Sequence, residues 1–343
     1  MTAVVLTPRG PFSLAAGLRF LEGFAPAPDS GGRDGTLRLA FPSDDGRFTV
    51  TAAVRQDETS ATSSAGAGRA GIVRAEIALH PTGAPSAGAR STGAGGASPV
   101  GPGTPRHPAA ADVARILSLD VDGSGLPALG SAEPLVAELM DEFPGLRPVC
   151  FPSPYEAAAW AVIGQRVRMS HAAAVKTLLA QRYGHRVEVA GHELFAFPAP
   201  QVLRTLTSFP GLTEVKVRRL HGVAEAAAAG ELDAARLRAL PAEDALAALR
   251  ELPGIGPFSA ELILIRGAGH PDLFPRHEPR LHAAMADAYA LPGPTADVAE
   301  LVRLAERWRP YRSWIAFLLR ARAGERVRSR STGPYCGRTR CSS

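Results

Sequence analysis

Cysteine is scarce in this chain: Cys150, Cys336 and Cys341 are the three present among 343 residues. An odd, small number argues against a disulfide framework and for a reducing compartment. No further Cys or His stands near Cys336 and Cys341 at cluster spacing, so a zinc or iron–sulfur site is not expected. Long apolar runs are missing as well, and no stretch reaches the roughly 18 residues that a membrane-spanning helix needs. Met1 to Phe12 has no cationic segment leading into an apolar run and a small-residue cleavage site, so no signal peptide is read there. The expectation is a soluble, cytoplasmic protein with no membrane partner. What is present is a globular balance, 45% hydrophobic and 21% charged, in a chain long enough for two domains. The formal charge of +5 suits a polyanionic partner, although a generic basic protein would carry the same excess.

Residues 1–118 read as a small α/β region. Val4–Thr7, Thr36–Phe41, Arg47–Val54 and the alternating Ile72–Leu79 suggest strands, and Leu14, Leu18 and Leu21 recur at a helical period. Gly/Ala/Ser/Pro stretches at about 58–71 and 81–108 bury too little apolar surface to offset chain entropy and are read as flexible loops. A helix near Ala110 closes the region. Residues 119–325 read as an all-α domain. Ser153-Pro154 starts a helix running to about Gln165, with serine as cap and proline in the first turn. Further helices are expected at Ser170–Tyr183, Pro198–Ser208, Glu214–Ala229, Ala242–Leu252, Pro257–Arg266, Pro279–Tyr289, Thr295–Arg307 and Tyr311–Ala323. The arginine-rich residues 326–343 read as a disordered basic tail that either adds phosphate contact or is merely solvated.

The sharpest local signal is Leu252-Pro253-Gly254-Ile255-Gly256-Pro257 between two amphipathic helices. Glycine permits a tight turn and close approach of a ligand. Backbone N–H groups around Gly254, Ile255 and Gly256, opening the next helix, would bind a phosphate oxygen without reading sequence. A plain helix–turn–helix connector would use the same punctuation. The surrounding motifs decide between them. Phe258-Ser259-Ala260 follows the hairpin, and the helix reaches Arg266-Gly267. Then come Asp272-Leu273-Phe274-Pro275 and, farther on, Ala305-Glu306-Arg307-Trp308-Arg309-Pro310-Tyr311-Arg312-Ser313. Upstream stand Ser153-Pro154-Tyr155-Glu156 and Ile163-Gly164-Gln165. In this order, over residues 145–325, they resemble the helix-hairpin-helix/Gly-Pro-Asp DNA glycosylase superfamily, in its bacterial 3-methyladenine DNA glycosylase II branch. The N-terminal region resembles that branch's small α/β domain, with the junction at Leu117–Gly123.

The resemblance implies a base-excision repair enzyme, nucleoid-associated in a bacterial cytoplasm, monomeric, whose partner is duplex DNA carrying damaged, alkylated bases. The family places a catalytic aspartate three residues after Phe-Pro. Here Phe274-Pro275 is followed by Arg276-His277-Glu278, so Glu278 takes its place with one more methylene. A carboxylate there stabilises the oxocarbenium-like sugar. Glu278 is the catalyst, or the catalyst for a different lesion, or it marks a damaged-DNA-binding protein that no longer cuts. His277 and His282 are read as surface or satisfied histidines, not as proton carriers. Glycosylases hold the flipped base in an aromatic or apolar pocket, and the resemblance assigns its lining to Phe258, Leu262 and Arg320. The last two stand where relatives carry aromatics, so this pocket is poorer in cation–π faces; Phe258 and Leu262 could equally be core. Arg166 matches the wedge that fills the gap left by the flipped base; a solvated surface arginine is the alternative. Phe258 stands where lyase-active relatives carry a lysine, which implies monofunctional hydrolysis. No cofactor is implied beyond the monovalent cation that this hairpin often holds.

Overall fold

The computed structural model describes residues 1–23, 34–57, 71–82, 107–291 and 297–331. Both stretches read as flexible loops lie almost wholly outside these residues.

The N-terminal region forms an antiparallel sheet of β1 (Thr2–Leu6), β2 (Leu37–Pro42), β3 (Phe48–Gln56) and β4 (Val73–Pro81), ordered β1-β4-β3-β2. Register pairs Val54 with Ala75 and Val50 with Leu79, which stacks branched side chains on one face. That face packs on α1 (Leu14–Glu22) and α2 (Ala110–Ile116) through Leu14, Leu18, Val113 and Ile116. Ser13 caps α1 by accepting from Ala16 N at 3.2 Å.

Two helical cores follow. One contains α5 (Pro154–Ile163), α6 (Met169–Tyr183), α7 (Pro200–Leu203), α8 (Glu214–Ala228), α9 (Ala234–Ala239), α10 (Ala242–Arg250) and α11 (Pro257–Leu262). The other gathers α3 (Leu126–Ala132), α4 (Pro134–Glu142), α12 (Pro279–Ala288), α13 (Val298–Ala305) and α14 (Arg312–Ser331), and it takes Ala16 from α1. A π-helical turn, Ile263–Gly267, continues α11 and crosses α5 closely. A Cβ on Gly267 would lie 2.8 Å from Pro154 Cα, so glycine sets the spacing between the two segments. No helix among the described residues is long and apolar enough to cross a membrane.

The fold is mainly helical behind a small sheet domain, as the sequence suggested, with corrections. The helical part is not all-α: β5 (Arg186–Val189) and β6 (His192–Phe195) form a hairpin against the N-terminal sheet. The helix expected over Pro198–Ser208 spans Pro200–Leu203, and Thr205 Oγ1 turns back onto Val202 O just beyond it. Helix α14 runs to Ser331, past the Gly324 where the sequence suggested that order ends. Arg322, bonded to Glu142 at 2.5 Å, and Arg326, paired with Asp287, hold the late turns down. Residues 332–343 lie outside the described part.

Candidate active site

A cavity of about 380 Å³ opens between the two helical cores and α1. It brings together Glu278, Leu262, Arg320 and Phe258 from the sequence reading. Phe258 is 45% exposed at the cavity, so it is no core residue, whereas Leu262 also packs against the first helical core. The hairpin immediately precedes Phe258 in the chain.

Glu278 sits at the N-cap of α12, and its carboxylate accepts from Arg280 N at 3.3 Å. That position sets the carboxylate against the positive end of the helix dipole. Its side chain is 21% exposed, and Arg320 Nε lies 3.7 Å from Oε1, an ion pair outside hydrogen-bond range. Burial pulls the Arg320 guanidinium below its ordinary pKa, with Glu278 opposing and Arg280 reinforcing the shift.

The loop that carries Glu278 is fixed at several points. Asp272 accepts from Arg312 N at 3.2 Å and from its Nε at 2.8 Å, and it pairs with Arg309. Ser313 Oγ accepts from Leu273 N and donates to Leu273 O. Glu261, only 6% exposed in its side chain, accepts from Arg276 N and His277 N, each at 3.0 Å, and pairs with His277 Nδ1 at 2.8 Å. His282 Nε2 meets Pro275 O at 3.2 Å, and its ring stacks on Phe274. Both histidines are thus occupied in the loop's bracing.

Glu261 is the residue that the sequence reading missed. Its signal was a carboxylate on a helix otherwise burying Ala260, Ile263 and Leu264. Phe20, Phe143 and Phe317, which line the same cavity, were also unforeseen. They come from α1, from the residue after α4 and from α14, separations that periodicity does not reveal. Arg266 lies 5.5 Å from the Phe20 ring and 5.0 Å from the Phe317 ring, and donates to Val149 O at 2.5 Å. Burial lowers its pKa to about 10.

In the hairpin, Ile255 N closes the turn onto Leu252 O at 3.0 Å. Gly254 has φ +88°, and a Cβ there would strike Arg219 Cδ at 2.5 Å. Gly256 is the N-cap of α11 in extended backbone, and no atom lies within 4 Å of a Cβ built on it. The N–H groups at this helix start have no partner within the helix. Arg166 is exposed in the turn after α5 with φ 54°, a left-handed conformation rare for a side-chain-bearing residue. Gln165 beside it donates to Gly254 O at 2.6 Å and accepts from Arg219 at 2.5 Å, tying this turn to the hairpin. A cation at the hairpin would rest on backbone carbonyls, of which Leu252 O and Gly254 O already accept hydrogen bonds. No cluster of His, Cys, Asp or Glu that could hold a metal ion occurs among the described residues.

The structure thus sets a glycine hairpin beside a carboxylate-bearing cavity in a mainly helical fold. No protein-family model matches the chain. It is 28% identical over 206 residues to the DNA-3-methyladenine glycosylase of Bacillus subtilis, covering 59% of this chain and 67% of that one. It is 32% identical over 183 residues to DNA-3-methyladenine glycosylase 2 of Escherichia coli, covering 50% of this chain and 58% of the relative's length. The fold matches that of the 3-methyladenine DNA-glycosylase from Archaeoglobus fulgidus with TM-score 0.66 at 18% identity, over 93% of this chain and 97% of that one. The chain is thus similar in sequence to DNA-3-methyladenine glycosylases and shares the fold of one.

Proposed function

We propose that the protein is a monofunctional DNA glycosylase of base-excision repair, which hydrolyses the N-glycosidic bond of a damaged base in duplex DNA. The observation that carries this reading is Glu278, a carboxylate held by a braced loop at the wall of a cavity with room for a base. The N-glycosidic bond breaks with its electron pair leaving on the base. Glu278 stabilises the resulting positive sugar and takes a proton from the water that adds to the anomeric carbon. Phe258 and Leu262 flank the base, the backbone N–H groups of Gly254 and Gly256 grip a phosphate while that of Ile255 closes the turn, and Arg166 fills the vacated stack. Alkylated bases are the substrates that the relatives' names point to.

Hydrolysis without strand cleavage is supported by where the lysines sit. Lys176 pairs with buried Glu156 at 3.2 Å, and Lys216 Nζ donates to Ile163 O at 2.8 Å; neither lines the cavity. A second reading, a protein that binds damage without cutting, is favoured by one observation: the Glu278 carboxylate is already engaged by Arg280 N and faced by Arg320. The test is single-turnover release of modified bases from duplex oligonucleotides, with strands analysed before and after alkali. Base release with strands broken only after alkali is expected. Binding without release supports the second reading, and strand breaks before alkali contradict the monofunctional one.

A further inference from the structure

The charges around the cavity are mostly spent. Glu142 is bonded to Arg322 at 2.5 Å, Glu261 is saturated by the loop that it braces, and Arg266 is held by Phe20, Phe317 and Val149 O. Arg320 differs. It lines the cavity with its side chain 31% exposed, and its one charged partner, Glu278, lies at 3.7 Å. It donates no hydrogen bond among the described residues, so the donors of this half-buried guanidinium have no protein acceptor. Such a group gains from an acceptor supplied by a ligand.

A base carrying a carbonyl oxygen or a ring-nitrogen lone pair supplies that acceptor. A purine alkylated at N3 or N7 is a cation while it remains attached to the sugar. It would bring a second positive charge against Arg320, cancelling attraction to Glu278. Of the two side chains that flank the base, Phe258 offers a ring face for cation–π contact and Leu262 offers none, and Arg266 already occupies one face each of Phe20 and Phe317. We propose that Arg320 sets this pocket for neutral damaged bases that turn a hydrogen-bond acceptor toward it, at the expense of cationic N-alkylated purines. The proposal rests on the glycosylase reading. It covers deaminated bases and those alkylated without acquiring charge. The acceptor would also draw Arg320 away from Glu278 and leave that carboxylate facing the sugar.

The test is single-turnover release of hypoxanthine, neutral with O6 and N7 acceptors, and of cationic 7-methylguanine from otherwise identical duplexes. Each rate is divided by its uncatalysed rate. The wild type should accelerate hypoxanthine release more, by about tenfold or above, since a site built to donate discriminates by at least that much. Arg320→Trp, which removes the charge and adds a ring face, should shift the ratio toward 7-methylguanine by about tenfold. Arg320→Gln, closer in shape, should shift it the same way should the tryptophan variant not fold. Equal or greater acceleration for 7-methylguanine by the wild type, or a ratio unmoved in both variants, overturns the pocket proposal and leaves the glycosylase reading standing. Release of neither base overturns both.

Discussion

Gly254 and Gly256 stand two residues apart and answer to different demands. Gly254 is required by the fold: its φ is +88°, and Arg219 fills the space where a side chain would begin. Gly254→Ala should therefore lower stability by about 1–2 kcal/mol, the cost of a left-handed alanine, read as a fall in the thermal midpoint. Gly256 faces open space in ordinary extended backbone, so the fold does not need it bare. Gly256→Val should cost at most about 1 kcal/mol as a poorer cap, yet weaken duplex affinity several-fold in a titration. Unchanged affinity would remove the hairpin from the DNA interface. Glu261→Ala belongs to the same scale. It leaves the N–H groups of Arg276 and His277 without their acceptor, and should cost about 1–3 kcal/mol while slowing base release by displacing the Glu278 loop.

Among elements, legibility followed length and punctuation. Helix α5 could be read because Ser153 caps it, accepting from Glu156 N at 3.2 Å, and Pro154 sits in its first turn. The hairpin was read from a short motif because turn geometry is a local feature, whereas Glu278 was assigned by the resemblance, from its place three residues after Phe274-Pro275. β5 and β6 were missed because four residues each are too short for a period-two pattern to emerge. Helices α3 and α4 were missed although Pro127 and Pro134 mark their starts. The β5–β6 hairpin also brings a pH response. His80 contacts Thr51 Oγ1 at 3.1 Å, His185 contacts Thr49 Oγ1 at 3.0 Å, and the two rings lie 6.3 Å apart. Burial first, then His185, holds the His80 imidazole below its ordinary value of 6.5. The unfolded chain thus takes up a proton before the folded one, and this contribution to stability is lost as pH falls below about 6.5. Denaturant midpoints measured from pH 7.5 to 5.5 should fall less steeply for His80→Gln than for the wild type.

At the scale of the whole molecule, buried arginines join the N-terminal domain to the helices. Arg147 Nε donates to Pro11 O at 2.8 Å and its Nη1 to Ser118 O at 2.9 Å, with the guanidinium 5.0 Å from the Trp314 ring. Desolvation lowers its pKa to about 10. Arg115 donates to Phe151 O at 3.0 Å and to Gly267 O at 2.5 Å, fastening α2 to the π turn beneath the cavity. The sequence shows these arginines only as surplus charge, because their partners are carbonyls scattered across the chain. Arg147→Ala should destabilise by about 3 kcal/mol or more through the orphaned carbonyls, seen as a lower denaturant midpoint. Helix α1 lends Ala16 and Phe20 to the cavity wall, so the N-terminal domain completes the site rather than merely preceding it.

The central claim is that Glu278 performs the chemistry in that cavity. It is tested most directly by single-turnover release of hypoxanthine and 7-methylguanine from duplex DNA by the wild type beside Glu278→Gln, with duplex affinity measured for both. The account predicts release by the wild type, a loss of about a hundredfold or more in the glutamine variant and affinity within a few-fold. Undiminished release by Glu278→Gln, or wild-type binding without release of either base, would contradict it.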